Sequence, residues 1–216
     1  MNAAGTTYMP AGDTATMSSS MASDASSGPG GKTSNGWASP AILGFLAFGM
    51  TIILFGLSNL PKPYGNGFVG FTGIHATEVV LGGLVLGLVG LITLWKGHLY
   101  WGSAFLGYAA FWITLTEAGA YGYGSAGFAF IWLLFTLTFL ISSFKHGWGT
   151  FFFLLLLFVG FILLVVEFWQ MGAGTKISSG ELWAIGGEWI FTGLIAWYAG
   201  TADLTNHTYN RRVLPI

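Results

Sequence analysis

Cysteine is absent from the 216 residues, so disulfide frameworks, thiolate metal sites, iron-sulfur clusters and cysteine nucleophiles are excluded by composition. Charge is scarce too: Asp, Glu, Lys and Arg make up 7% of the chain, against about 25% in soluble domains. Seven basic against eight acidic residues leave no basic surface for nucleic acid and no acidic block of the kind that keeps a chain solvated. What fills the sequence instead is 54% hydrophobic residues, 17% aromatics and 34 glycines, at a mean hydropathy of +0.69. That is the composition of closely packed helices in lipid, with rings on the lipid face and at the headgroups.

Residues 1–36 stand apart. Ser, Thr, Ala, Gly and Met dominate, and Asp13, Asp24 and Lys32 are the only charges. Such a segment buries too little apolar surface to offset its ordering entropy, so a disordered tail is expected. With no secretory-type apolar run and no arginine, it is not expected to be a cleaved address. Six apolar segments follow, each long enough for a hydrocarbon core of about 30 Å. They cover about Pro40 to Asn59, Phe71 to Trp95, His98 to Ala118, a fourth that follows the break Gly122-Tyr123-Gly124-Ser125 and ends near Ser143, Thr150 to Gln170, and Glu181 to Asp203. Ser39 is the expected N-cap of the first, with Pro40 at its first helical position. The fold class expected is therefore an all-α membrane protein with a six-helix domain over 37–203 and a C-terminal tail over 204–216. Lys32, Lys96, Lys145, Arg211 and Arg212 fall on one side, and only Lys62 and Lys176 on the other. The positive-inside rule then places both termini in the cytoplasm of a plasma-membrane protein. Asn206-His207-Thr208 would face the wrong side for glycosylation.

No Lys or Arg lies well inside any of these segments. A small anion would have to pass without a fixed positive charge, so neutral solutes or proton-accompanied anions are favoured. Glu78, Glu117, Glu167, Glu181 and Glu188 fall in the outer halves or outer ends of their segments, and only Asp203 lies near the cytoplasmic end. His75 and Glu78 share a helix face three residues apart. His75, Glu78, Glu117 and Glu167 are candidates for handling protons at the outer mouth. One His and one Glu are too few for a metal, and no histidine pair or buried lysine suits haem or retinal, so no metal or cofactor is expected. Nothing resembles a catalytic triad, and an enzyme is not expected. Gly83-x-x-x-Gly87 is expected to serve close helix packing.

Ser39-Pro40-Ala41-Ile42-Leu43-Gly44-Phe45, followed by Phe48-Gly49-Met50-Thr51, resembles the opening signature of the acetate uptake transporter family, Asn-Pro-Ala-Pro-Leu-Gly-Leu and then Phe-Gly-Met-Thr. Tyr108-Ala109-Ala110-Phe111-Trp112 is similar to the family's third-helix Tyr-x-x-Phe-Trp, and the terminal Arg-Arg-Val-Leu-Pro-Ile to its Arg-x-Val-Leu-Pro-Ile. The chain departs from the signature at Ser39, Ile42 and Phe45, and Leu86 stands where relatives often carry a Gln. The resemblance implies three helical hairpins around a pore in each protomer of a homo-hexamer, with a neck formed by a Phe, a Tyr and a Leu. By local match these are Phe48, Tyr108 and Leu157. Each lies 7 to 10 positions from the cytoplasmic start of its segment, or roughly 10 to 15 Å at 1.5 Å per residue, near the midplane. Ser39, Pro40, Ala41, Gly44, Thr51, Leu86 and Trp112 are the candidates for the solute path, with Ser39, Thr51 and Tyr108 offering hydroxyls.

The expected function is a channel or proton-coupled transporter for acetate and similar short monocarboxylates, with protons and the lipid bilayer as its other partners. A proton-gated urea or short-amide channel is the alternative within transport. A non-transporting signalling subunit that displays its Ser/Thr tail is the alternative outside it.

Overall fold

The computed structural model describes residues 39–64, 71–117 and 123–215, and the side chains of Phe71, Thr72, Thr116, Glu117 and Tyr123 are not among those described. The expected tail over 1–36 and the Glu117 carboxyl therefore lie outside the described residues. Six helical rods make up almost everything else: α1 (Ala41–Ser58), α2 over 71–95, α3 (Leu99–Glu117), α4 (Tyr123–Ser142), α5 (Trp148–Gly172) and α6 (Ser179–Thr208). Among the described residues, Ala41–Ser58, Gly73–Trp95, Gly124–Lys145 and Trp148–Gly172 are long and apolar enough to cross a membrane. Of the remaining two rods, α6 carries three carboxylates, Glu181, Glu188 and Asp203.

Local chemistry sets the helix ends. Gly97, with φ +85°, and Gly174, with φ +69°, adopt the left-handed conformation that glycine alone reaches without penalty. Around each, paired hydrogen bonds close the preceding helix. His98 N–H donates to Thr93 C=O at 3.1 Å and Gly97 N–H to Leu94 C=O at 2.9 Å, while Thr175 N–H donates to Gln170 C=O at 2.9 Å and Gly174 N–H to Met171 C=O at 3.1 Å. Helix α6 opens on a capping box in which Ser178 Oγ accepts from Glu181 N–H at 3.2 Å and Ser178 N–H donates to Glu181 Oε2 at 2.7 Å. At α1 the proline sits one residue earlier than expected. Pro40 occupies the cap, and its carbonyl accepts from Gly44 N–H at 3.1 Å.

One feature of α2 has no counterpart in the hydropathy pattern. Its middle, Glu78–Val85, is π-helical between α-helical Phe71–Thr77 and Leu86–Trp95. The wider turn carries Gly82 and Gly83 into contact with Trp112 and Ile113 of α3, and π-helical turns of this kind concentrate at functional sites.

The rods pack most extensively as α1 with α6, α2 with α3, and α4 with α5. The first helix thus pairs with the last. Gly49 faces Gly193 and Gly56 faces Gly186, each close enough that a Cβ would stand 2.7 to 2.8 Å from the opposing carbonyl oxygen, and Gly200 meets Ile42 C=O at 3.1 Å. These glycines recur every seven residues and form one antiparallel seam, where backbones approach as small residues allow. Gly83 and Gly87 lie against Ile113 and Ala109, so the expected close packing of the second segment is against α3.

The C-terminus folds back on α6. Asn206 Oδ1 accepts from Val213 N–H at 2.6 Å and Leu214 N–H at 2.8 Å, its Nδ2 donates to Leu214 C=O at 2.8 Å, and Tyr198 O–H donates to Pro215 C=O at 2.8 Å. Val213 and Leu214 are thus held by one amide side chain, and Pro215 by the Tyr198 hydroxyl. Asn206→Ala is expected to release residues 213–215, seen as faster carboxypeptidase trimming than in the wild type; equal trimming rates would contradict the clamp.

Candidate functional site

Aromatic rings fill the middle of the bundle in levels. In the first, Phe45 meets Trp101 at 4.6 Å, Phe105 at 5.4 Å and Phe153 at 6.4 Å between ring centroids. One turn further along α1, Phe48 stacks on Tyr108 at 4.9 Å and meets Phe153 edge-on at 6.1 Å. Two turns further, Phe55 lies between Trp112 at 5.7 Å and Trp189 at 5.3 Å. Phe161 links the upper two levels, 6.4 Å from Tyr108 and 5.5 Å from Trp189. Phe153, Leu157 and Phe161 are four residues apart and share one face of α5. Leu157 therefore stands between the ring that touches Phe48 and the ring that touches Tyr108. All three residues matched to the neck are at most 2% exposed.

A buried phenol needs a hydrogen-bond partner. Tyr108 finds one on α4: its hydroxyl donates to Thr136 Oγ1 at 3.0 Å, and Thr136 in turn donates to Trp132 C=O at 2.9 Å. Thr136 carried no signal in the sequence, because its importance comes from a contact 28 residues away. The ring of Tyr108 is also braced edge-on by Phe135 at 5.3 Å. The other proposed path hydroxyl, Thr51, is buried and donates to Ala47 C=O at 2.8 Å, and its methyl faces Gly82 of the π-helical turn.

The rest of the candidate path sorts by height. Ser39 and Pro40 are partly buried at the start of α1, with Ala41 buried beside them and Gly44 beneath the Phe105 ring. Leu86, at the end of the π-helical stretch, is fully buried. Trp112 is buried with its indole N–H unpartnered, and so is Trp189. Two buried donors without acceptors thus stand at the level above the neck, one on either side of Phe55.

The candidate proton-handling groups do not form one cluster. His75 Nδ1 lies 3.3 Å from Glu78 Oε2, with His75 about a third exposed and Glu78 almost wholly buried. The pair the spacing suggested thus joins a wet imidazole to a dry carboxyl at the head of the π-helical turn. Glu167 is buried on α5 with Oε2 unpartnered. Glu181 is engaged at the start of α6, where it also accepts from Gln170 Nε2 at 3.2 Å. Glu188 accepts from Thr192 O–H at 2.7 Å and presses Oε2 against Gly160 of α5.

Residues 26–215 match the GPR1/FUN34/yaaH family. The chain is 30% identical over 192 residues to the succinate-acetate/proton symporter SatP of Escherichia coli strain K12, covering 83% of this chain and 95% of that protein. It is 33% identical over 196 residues to an uncharacterized protein of Methanothermobacter thermautotrophicus, covering 82% and 90%. The solved structure of the bacterial acetate channel SatP superposes with a TM-score of 0.70 at 28% identity, covering 83% of this chain and 99% of that one. With apolar helices long enough to span a bilayer and this likeness over most of its length, the chain is an integral membrane transport protein, not an enzyme, and it belongs to the GPR1/FUN34/yaaH family.

Proposed function

We propose that the chain passes acetate and similar short monocarboxylates across the plasma membrane, each solute accompanied by a proton. It does so as a six-span protomer with both termini cytoplasmic, assembled as a homo-hexamer in which every protomer has its own path. Phe48, Tyr108 and Leu157 form the neck of that path. The observation that carries the reading is the buried stack of Phe48 on Tyr108, with Leu157 beside it, in a bundle resembling an acetate channel. A hydrocarbon-like waist is crossed easily by a methyl group, whereas a bare carboxylate there costs several kcal/mol or more. No lysine or arginine occurs in α1, α3, α5 or α6 to offset that cost, so the negative charge has to be cancelled by a proton. The E. coli relative is a proton symporter, which agrees with this requirement.

The test is uptake of labelled acetate into proteoliposomes, with protein-free vesicles subtracted, as external pH is lowered toward the acid's own pKa. Protein-dependent uptake is expected to rise as pH falls, because the neutral or proton-matched species becomes more abundant. A flat profile would remove proton accompaniment. Urea run side by side separates the short-amide alternative, and flux through protein lacking residues 1–36 separates a transport role from a signalling one.

A further inference from the structure

The seam between α5 and α6 carries acids at three heights. Glu181, at the start of α6, is bonded to Gln170. Glu167, further in, is 2% exposed with Oε2 unpartnered. Glu188 is the deepest. Its Oε1 accepts from Thr192, its Oε2 is sealed without a hydrogen-bond partner, and a Cβ on Gly160 would stand 2.5 Å from that Oε2. The missing side chain of Gly160 is therefore what makes the seat for the carboxyl. Gly160 lies three residues beyond Leu157, about 4.5 Å along the axis, and next to Phe161, whose ring meets both Tyr108 and Trp189. The Glu188 carboxyl thus lies about one turn outward of the neck, below the level of Phe55 and Trp189, and inward of Glu167 and Glu181. A half-buried carboxyl with one oxygen left unsatisfied against a helix backbone costs stability, and an alanine would pack the same seam without that cost.

Resting on the transport reading above, we propose that Glu188 binds the proton that travels with the monocarboxylate. With the site open outward, a proton from external water forms an O–H bond at Glu188 Oε2. With the site open inward, that bond breaks and the proton passes to cytoplasmic water. One monocarboxylate anion crosses in the same cycle, so no net charge moves. The groups that face Glu188 leave it without a rival. Helix α1 has no titratable side chain, and α5 has only Glu167, two turns outward. From α3, Tyr108 reaches it only through Phe161. On α6 itself, Glu181, Tyr198, Asp203 and His207 are all at least seven residues distant.

Two assays with labelled acetate in proteoliposomes distinguish proton binding from passage: exchange, with equal acetate and pH on both sides, and net uptake driven by an inward proton gradient. Wild-type protein is expected to perform both. Glu188→Gln keeps the shape and an acceptor for Thr192, so exchange should stay within about twofold while net uptake falls at least about tenfold, the signature of a lost coupling step. Thr192→Val removes a hydrogen bond to the carboxylate and should move the midpoint of the net-uptake pH profile upward by about one unit. Glu188→Gln with undiminished net uptake, or with exchange lost equally, overturns the proposal. Should Glu188→Gln not elute as folded protein, an unshifted Thr192→Val profile overturns it and a shifted one supports it. Wild-type protein that exchanges no acetate overturns the transport reading, and this proposal with it.

Discussion

Phe48→Ala is expected to raise the flux of bulkier monocarboxylates such as butyrate or benzoate, relative to acetate, by about tenfold or more, at the low end of what one to a few methylenes are worth in an apolar site. The expectation follows from what stays behind when the ring is removed. Tyr108, on which Phe48 stacks, cannot swing into the gap, because its hydroxyl is tied to Thr136 and its ring is held edge-on by Phe135. Phe153, on the other side, is held against Phe45. A core that cannot collapse keeps its cavity, and the destabilisation of about 3 to 5 kcal/mol typical of Phe→Ala is the accompanying cost. Phe48→Leu fills most of the volume and serves as the folded control. Leu157→Ala should act in the same direction with a smaller effect, since fewer atoms are removed. The measurement is the ratio of labelled larger acid to labelled acetate entering vesicles; an unchanged ratio in folded Phe48→Ala would place the size filter elsewhere.

How much of this was legible in the sequence depends on whether a property is local. The rods can be read because each is mostly apolar over about 20 residues, and Gly97 and Gly174 end two of them where a left-handed residue is needed. The π-helical middle of α2 left no trace, because moving a hydrogen bond by one residue changes neither hydropathy nor composition. Pairing the first helix with the last was likewise invisible: the seven-residue spacing of Gly49 and Gly56, and of Gly186, Gly193 and Gly200, can be seen in the sequence, but nothing local joins the two sets. Asn206 read as part of a sequon, and its clamp on Val213 and Leu214 needs the turn at Asn210, where φ is +50°. Phe48 and Tyr108 were matched through family resemblance, and their stacking is a tertiary contact that spacing could not supply. Glu188 reads as an outer acid by counting from the helix start, and its distance from the neck follows from contacts that the sequence does not show, its own with Gly160 and that of the neighbouring Trp189 with Phe55.

Gly193→Leu is expected to leave almost no correctly assembled protein, the largest effect foreseen for a single substitution here. A Cβ at Gly193 would stand 2.8 Å from the Gly49 carbonyl oxygen and 2.8 Å from the Ile53 amide nitrogen. Both are backbone atoms of α1, which cannot rotate out of the way as a side-chain tip can. The helices would have to separate, and with them the Gly56 to Gly186 and Gly200 to Ile42 approaches on either side. In lipid no hydrophobic gain favours one helix over another, so cohesion rests on close packing, and widening this seam forfeits most of it. Overpacking costs about 1 to 3 kcal/mol even where side chains can yield, and here backbone is opposed along a whole seam, against a total stability of about 5 to 15 kcal/mol. Gly187→Leu is the internal control. It adds the same side chain to the same helix, but nothing lies within 4 Å of its Cβ, so it should shift stability by no more than about 0.5 kcal/mol. The readout is the monodisperse fraction on size exclusion in detergent, together with the thermal midpoint of what elutes. Gly193→Leu eluting like the wild type would mean that α1 and α6 do not meet at this distance. Because Gly49 and Gly193 form one contact, Gly49→Leu combined with Gly193→Leu should be little worse than either alone; full additivity would assign the two losses to separate contacts.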